Sequence, residues 1–180
     1  MEFAYSALEK VIFNEAATAA LPQLLRDLSY QRPFLVASRT LAEKTGDLGA
    51  LRQALPVELA GFNKAIRSHT PREDALELLD QVRESGADVI ISVGGGSVID
   101  AGKFVQLAIE QGLKHESEIL EYAQQGNGSK GPKHGDFRLF SGTDKIRQLA
   151  IPTTLSGAEF SNSAGVLNSS SGSKEGYRGP

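Results

Sequence analysis

A short buried strand that turns through three glycines into a helix is the feature that most constrains this chain. Residues 88–93 read Asp-Val-Ile-Ile-Ser-Val, a β-branched run of strand length. Gly94, Gly95 and Gly96 follow, and apolar residues then recur at helical spacing from residue 98 to about residue 110. A strand, a tight turn and a helix in this order indicate one unit of an α/β layer.

The neighbouring segments repeat this alternation. Residues 33–38 are a short apolar run typical of a buried parallel strand, with a helix expected after it, and residues 147–151 predict another strand. Residues 70–73, Thr-Pro-Arg-Glu, have the pattern of a capped helix start, and Gly86 has that of a left-handed helix end. We therefore predict an open, mostly parallel Rossmann-like sheet with helices on both faces.

The two ends of the chain carry weaker signals. Residues 3–5 and 11–13 predict a small N-terminal β-hairpin, and a leucine stripe after Pro22, formed by Leu24, Leu25 and Leu28, predicts a helix. After Val166 the sequence becomes serine-rich and reaches Pro180 without a recognisable closing element. We expect residues 1–180 to be one α/β domain, truncated relative to a longer protein.

Glycine and serine dominate residues 124–143, which predict a long exposed loop.

Composition also excludes several classes of protein. The chain has no cysteine, which rules out disulfides, thiolate zinc sites and cysteine nucleophiles. A net charge of −3 with scattered basic residues argues against nucleic acid as a partner, and no apolar run is long enough for a membrane span. Without a targeting signal at its start, the chain is predicted to be cytoplasmic.

The glycine turn itself predicts an anion site. Three residues without Cβ atoms let a diphosphate approach the backbone N–H groups, and the helix that follows adds the positive end of its dipole. The Ser97 hydroxyl can donate to a phosphate oxygen. The dinucleotide fingerprint fails because Ile99 stands at its third glycine, and the P-loop fails at Ser97 and Phe104. A tight turn with no ligand is the alternative.

Longer strings around these residues resemble a known family. Residues 93–103, Val-Gly-Gly-Gly-Ser-Val-Ile-Asp-Ala-Gly-Lys, are similar to the glycine-rich signature of the iron-containing (group III) alcohol dehydrogenases, in the dehydroquinate synthase-like superfamily. Residues 151–160, Ile-Pro-Thr-Thr-Leu-Ser-Gly-Ala-Glu-Phe, resemble the second hallmark in the form found in the maleylacetate reductase-like branch, and residues 69–73 resemble that branch too. The resemblance runs from about residue 11 to residue 180 and covers the N-terminal half of a family member.

The resemblance implies a role for each residue of these motifs. It places the pyrophosphate on the glycine turn and Ser97, and it brings Asp100 to the nicotinamide ribose or carboxamide. It assigns Lys174 to a ribose hydroxyl or phosphate. The alternatives are a first-turn helix acid for Asp100, a solvated loop lysine for Lys174, and a structural hydrogen-bond acceptor for Glu159. The residues expected to bind cofactor are Gly94, Gly95, Gly96, Ser97 and Asp100, with Thr153, Thr154 and Ser156 on the adenine and phosphate side, and Lys174.

The end of the first strand commonly selects between NAD and NADP. A carboxylate there binds the ribose 2′-hydroxyl and repels a 2′-phosphate, whereas this chain has Ser38 followed by Arg39. We expect NADP to be tolerated, with use of both cofactors or a preference for NADPH.

Family members hold Fe²⁺ or Zn²⁺ with an aspartate and three histidines on a helical domain downstream. The histidines of this chain, His69, His115 and His134, have no ligand-like spacing. We therefore expect the helical metal domain to be absent and the 180-residue chain to be inactive alone.

The resemblance implies an NAD(P)-dependent oxidoreductase that interconverts a small alcohol or hydroxy acid and its carbonyl compound. One alternative is a free-standing or truncated dinucleotide-binding module without turnover. Another is an enzyme like dehydroquinate synthase or glycerol-1-phosphate dehydrogenase. A homodimer is possible, since the face meant for a second domain would leave an apolar patch.

Overall fold

The computed structural model of the chain describes residues 8–113, 115–119, 122 and 146–178. In the described ranges the strands are β1 (Pro33–Ala37), β2 (Gly61–Asn63), β3 (Val89–Gly94), β4 (Arg147–Pro152), β5 (Ser163–Asn168) and β6 (Ser173–Arg178). The longer helices are α1 (Ala17–Asp27), α2 (Arg39–Lys44), α3 (Asp47–Ala54), α4 (Arg72–Ser85) and α5 (Gly96–Glu110). None of the helices in these ranges is long and apolar enough to cross a membrane.

The first four strands form a parallel sheet in the order β2-β1-β3-β4. Residue pairing aligns Ala37 with Val93 and Gly94 with Pro152, so β1, β3 and β4 end side by side. After β1 the chain adds β2 at one edge of the sheet. It then crosses back through α4 to place β3 on the other side of β1, and β4 follows beside β3. The resulting switch point between β1 and β3 is where open α/β sheets bind ligands, outside the carboxyl ends of the strands.

Alternate side chains of the central strands feed two separate cores. Phe34, Val36 and Ile90 pack under α4 and α5, while Leu35 and Ile91 pack on the opposite face under α1 and α3. Strands β1 and β3 are buried along their whole length, which is why both are mostly apolar, with Ser92 of β3 as a buried polar residue. The predicted α/β sheet with helices on both faces is confirmed.

The N-terminal prediction needs correction. Residues 11–13 form no strand and are largely exposed, with Phe13 at 79%, because nothing in the described ranges pairs with them. The partner arm, residues 3–5, lies outside the described residues, as does the predicted loop at residues 124–143. Helix α1 starts before Pro22 and buries Leu21 and Leu25, whereas Leu28 lies past its end.

Helix α4 starts where its sequence predicts, but not by the predicted cap. The Thr70 hydroxyl donates to the carbonyl oxygen of Ser97, at 2.9 Å, instead of capping α4. The Glu73 carboxylate accepts from Arg67 and from Ser169. The left-handed helix end at Gly86 is confirmed, with φ of 61°.

The serine-rich end of the chain contains a closing element that its composition conceals. Strands β5 and β6 form an antiparallel hairpin, with Ser163 opposite Arg178 and Asn168 opposite Ser173. The turn is held by the Asn168 side chain, which accepts from two backbone N–H groups, and by the positive φ of Gly172. The hairpin packs on α5 through Ala164, Val166 and Tyr177.

Candidate functional site

Three of the predicted positions meet at the carboxyl ends of neighbouring strands. The Ser38 N–H donates to the Val93 carbonyl oxygen at 3.2 Å, and the Thr153 N–H donates to that of Gly94 at 2.9 Å. These bonds continue the sheet pairing by one residue beyond β1 and β4. Ser38, Gly94 and Thr153 therefore form one row across the switch point.

The glycine turn faces the loop that follows β4. A Cβ atom on Gly95 would stand 3.1 Å from the Thr154 methyl carbon, and one on Gly96 would stand 3.2 Å from the Ser156 Oγ. Both distances are tighter than ordinary contacts. Thr154 and Ser156 are themselves exposed, so the structure brings the two hallmark motifs together around an open surface.

Gly94 is required for a different reason. A Cβ atom there would lie 2.7 Å from a methyl carbon of Val98, which is buried under the first turn of α5. The turn from β3 into α5 is thus too tight for any side chain at this position. Helix α5, 15 residues long, therefore begins directly at Gly96, and the first backbone N–H groups of a helix have no partner within it.

Ser97 is held from behind by the residues that precede α4. Its Oγ accepts a hydrogen bond from the His69 N–H at 2.9 Å, and its carbonyl oxygen accepts one from Thr70. His69 and Thr70 both have positive φ, 65° and 54°. Sequence reasoning missed this contact because it assigned Thr70 to the helix cap.

Ser38 and Arg39 lie at the start of α2, beside the glycine turn. The Ser38 hydroxyl caps α2 by accepting from the Leu41 N–H at 3.3 Å. Arg39 is exposed at the carboxyl end of β1. The position predicted to select the cofactor therefore presents an accessible guanidinium.

Asp100 points toward the β5–β6 hairpin. It forms an ion pair of 2.8 Å with Lys103 and accepts from the Gly165 N–H at 3.1 Å. Both side chains of the pair are largely buried, with 15% and 12% exposed. Since Asp100 is not in the first turn of α5, the alternative of a first-turn acid does not describe it.

Lys103 ties the segment after the Thr-Thr loop to α5. Its ammonium group donates to the carbonyl oxygens of Ala158 and Ser163 and to the hydroxyl of Ser161. Because the ammonium group pairs with Asp100, Lys103 does not leave an uncompensated buried charge in this segment. Lys103 belongs to the glycine-rich string, yet its role was not predicted.

Lys174 lies in strand β6, so it is not the loop lysine of the alternative prediction. It lies exposed on β6 and extends across Gly165, where a Cβ atom would stand 2.8 Å from its Nζ. Gly165 in turn donates to Asp100. Asp100 and Lys174 therefore both lie next to Gly165 of the hairpin.

Glu159 lies at the edge of this arrangement. Its Oε2 is buried and has no hydrogen-bond partner in the described part of the chain. It borders a groove of about 670 Å³ that runs beside β4 and α1 and is lined in part by Leu149, Ile151 and Phe160. No residue of the glycine turn lines this groove, although Pro152, the last residue of β4, does.

A polar network holds the hairpin against α4. Arg72 pairs with Glu175 at 3.1 Å, and Glu175 also accepts from the Tyr177 hydroxyl at 3.0 Å. The Tyr177 ring is 1% exposed and meets Phe104 edge-on. Burial, followed by the bond to Glu175, raises the pKa of Tyr177 well above its usual range.

The residues present fit a nucleotide diphosphate better than a metal ion. Gly95 and Gly96 form a cradle with Thr154 and Ser156, and a Cβ atom on either glycine would crowd the facing side chain. Within the described residues no group of three or more histidine, aspartate or glutamate side chains is placed to hold a metal ion. His69 and His115 are both exposed, and His134 lies outside the described residues.

Comparisons with known proteins agree with this arrangement. The family model for iron-containing alcohol dehydrogenase matches residues 9–180. The chain is 35% identical over 152 residues to dehydrogenase FUM7 of Gibberella moniliformis, covering 82% of this chain and 34% of that protein. It is 29% identical over 118 residues to maleylacetate reductase 2 of Cupriavidus pinatubonensis, covering 63% of this chain and 30% of that protein.

Solved structures share the fold. Sulfoacetaldehyde reductase from Bifidobacterium kashiwanohense, solved in complex with NAD⁺, superposes with a TM-score of 0.74 at 17% identity, over 99% of this chain and 43% of that one. Maleylacetate reductase from Agrobacterium tumefaciens gives a TM-score of 0.66 at 24% identity, over 100% and 40%. The chain therefore spans about a third to two fifths of the length of these relatives.

Proposed function

Since this chain belongs to the iron-containing alcohol dehydrogenase family, we propose that it is the cofactor-binding part of an NAD(P)-dependent oxidoreductase acting on an alcohol or hydroxy acid and its carbonyl compound. The observation that carries the proposal is the cradle where Gly95 and Gly96 meet Thr154 and Ser156 at the start of α5. The relatives named above are dehydrogenases and reductases, which favours oxidation and reduction over a dehydroquinate synthase-like reaction.

In this proposal the glycine turn binds the diphosphate of the cofactor. The backbone N–H groups of Gly96 and Ser97 donate to phosphate oxygens, and the dipole of α5 adds a favourable charge. Thr153, Thr154 and Ser156 contact the adenine and phosphate side from the opposite wall. Gly94 contributes by making the turn tight enough for this approach.

Asp100 and Lys174 are proposed to contact the nicotinamide side. Both lie toward the β5–β6 hairpin, so a dinucleotide would extend from the glycine turn along α5 to reach them. When bound, the nicotinamide accepts or delivers a hydride, and this chain's residues orient it. We assign the binding of a metal ion, Fe²⁺ or Zn²⁺, and of the substrate to a full-length protein rather than to these 180 residues.

Cofactor binding can be measured directly by isothermal titration of the 180-residue protein with NADH and NADPH. We expect micromolar dissociation constants, unchanged by added zinc or iron. In the Gly96→Val variant, affinity should fall by at least about tenfold, because the new side chain displaces a charge-assisted hydrogen bond and blocks the cradle. Absence of binding in the unaltered protein would contradict the proposed function.

A matched control is Gly49→Ala in α3. A Cβ atom at Gly49 meets no atom within 4 Å, and the residue is far from the strand ends. Its affinity for NADH should equal that of the unaltered chain. Equal losses in the Gly96 and Gly49 variants would show that the glycine turn has no special part in binding.

A substitution of Arg39 tests whether this residue selects between NAD and NADP. We expect Arg39→Ala to weaken NADPH binding more than NADH binding, by about tenfold, because the guanidinium recognises the 2′-phosphate. Arg26→Ala, an exposed arginine on α1, is the control. An equal loss for both cofactors would defeat the preference for NADPH.

A dinucleotide-binding module without turnover is the second candidate. It is favoured by the observation that the described residues contain no group of side chains suited to a metal ion. Because the 180-residue chain is expected to be inactive under either candidate, the genomic reading frame separates them. A frame that continues past residue 180 with an aspartate and clustered histidines would favour the oxidoreductase, and a stop codon there would favour the module.

A further inference from the structure

The residues just before α4 are strained and contact the cofactor cradle. His69 and Thr70 both adopt left-handed backbone conformations, with φ of 65° and 54°, although neither is glycine. For Thr70, which is β-branched and fully buried, this conformation is a genuine outlier. Strain of this kind persists only where surrounding contacts enforce it, and it concentrates at functional sites.

Two hydrogen bonds connect this strained turn to Ser97. The His69 N–H donates to the Ser97 Oγ, and the Thr70 Oγ1 donates to the Ser97 carbonyl oxygen, both at 2.9 Å. The turn is braced from the other side, since the Leu167 N–H of β5 donates to the Thr70 carbonyl oxygen, also at 2.9 Å. Ser97 is thus held by backbone and side chain together.

These bonds determine what the Ser97 hydroxyl can do. A hydroxyl has one proton to donate and two lone pairs that accept. Because the Ser97 Oγ accepts from His69, its own proton remains to be donated, and no acceptor for that proton is found among the described residues. The hydroxyl stands at the first turn of α5, where the diphosphate is proposed to bind.

We propose that the left-handed His69–Thr70 turn is a positioning device that directs the Ser97 hydroxyl proton toward a phosphate oxygen of the cofactor. The inference rests on the proposed function and assigns Thr70 a role through Ser97 rather than by contact with the ligand. It identifies the recognised group as a diphosphate, so ADP should respond in the same way as the complete dinucleotide. Adenosine, which has no phosphate, should not respond.

A double-mutant cycle tests this role, with ADP titrated into each folded variant. Thr70→Val keeps the shape of the side chain but removes its donor, and it should weaken ADP binding by about tenfold. In the Ser97→Ala background the same change should have an effect of less than about twofold, because the group that Thr70 orients is gone. Thr70→Ser, which keeps the hydroxyl, should restore affinity, and adenosine binding should be unchanged throughout.

The outcomes separate this inference from the proposed function. If the unaltered protein binds ADP but Thr70→Val weakens binding equally in both backgrounds, the positioning role is wrong and the proposed function stands. If the unaltered protein binds neither ADP nor NADH, both are overturned.

Amide exchange decides the matter if Thr70→Val does not fold. The His69 amide should exchange slowly in the unaltered protein and about tenfold faster in Ser97→Ala, because its acceptor is lost. Equal rates in the two proteins would overturn the inference.

Discussion

Gly102 allows α5 to lie directly on the sheet. A Cβ atom at this residue would overlap the amide nitrogen of Gln148 and stand 2.5 Å from the Ser92 hydroxyl oxygen. The Gln148 amide bridges the Ser92 hydroxyl, at 2.8 Å, and the Ile99 carbonyl oxygen, at 3.0 Å. A polar contact between α5, β3 and β4 therefore occupies the space that a side chain would need.

We expect Gly102→Ala to reduce the free energy of unfolding by about 1–3 kcal/mol, since overpacking forces neighbouring groups apart. Gly49→Ala, in an exposed part of α3, should instead raise it by up to about 1 kcal/mol by restricting the unfolded chain. Urea unfolding of both variants measures the difference. A Gly102→Ala protein as stable as the unaltered one would contradict the close approach described here.

Sequence reasoning identified the glycine turn but not its supports. Glycines between a strand and a helix have a direct physical meaning, so Gly94, Gly95 and Gly96 were predictable. The partnership of Thr70 with Ser97 was not, because a threonine before Pro71 is equally suited to capping α4. Only the tertiary fold decides which of two available acceptors or donors a hydroxyl uses.

Among the elements, the β5–β6 hairpin packs against both α4 and α5. Arg72, Glu175 and Tyr177 link it to α4, and the Tyr177 ring packs against Phe104 of α5. Because the folded state raises the pKa of Tyr177, the buried phenol resists ionisation while the unfolded chain loses its proton near the usual value of 10.0. The stability that the protonated Tyr177 phenol contributes is thus complete below about pH 10 and declines progressively as the pH rises further.

The expected result is a free energy of unfolding that falls above about pH 10, by at most about 1.4 kcal/mol per pH unit for this group. Tyr30 and Tyr122 also have raised pKa values through burial, so the comparison is with Tyr177→Phe. This variant should show a smaller decline in urea unfolding between about pH 8 and about pH 11. Parallel declines in the two proteins would mean that Tyr177 does not cause the effect.

The elements that were predicted differ from those that were missed in the strength of their apolar signal. Strands β1 and β3 are predominantly apolar and are buried on both faces. The hairpin has only Ala164, Val166 and Tyr177 buried, among serines, glycines and charged residues, and β2 is three residues long. Such short or small-residue strands gain their stability from what they pack against, which local composition does not reveal.

For the whole molecule, binding and folding are linked. A cofactor that binds only the folded chain should raise the free energy of unfolding by about 2.7 kcal/mol at a concentration one hundred times its dissociation constant. Thermal or urea unfolding with and without NADH measures this shift. The Gly96→Val protein should show little stabilisation at the same concentration, and an equal shift would place the ligand elsewhere.

The family could be inferred because two short strings resemble its hallmarks, and the fold because strands alternate with helices along the sequence. Both strings lie at the carboxyl ends of adjacent strands, where this architecture binds ligands. The hydride-transfer chemistry could not be derived in the same way. In the proposed function the described groups around the cradle would bind and orient the cofactor, and the exchange of electrons would be the cofactor's own chemistry.

The contacts that hold the His69–Thr70 turn behind Ser97 also affect the order in which the chain folds during synthesis. Arg72 and Glu175, which form an ion pair, are 103 residues apart in sequence. The Thr70 carbonyl oxygen likewise has no hydrogen bond from Leu167 until that residue of the hairpin has been synthesised. During synthesis the sheet strands β1 to β3 emerge first and can pair, while the left-handed turn behind Ser97 has no brace until β5 arrives. A nascent chain would therefore pair its first parallel strands well before the turn behind Ser97 is held in place.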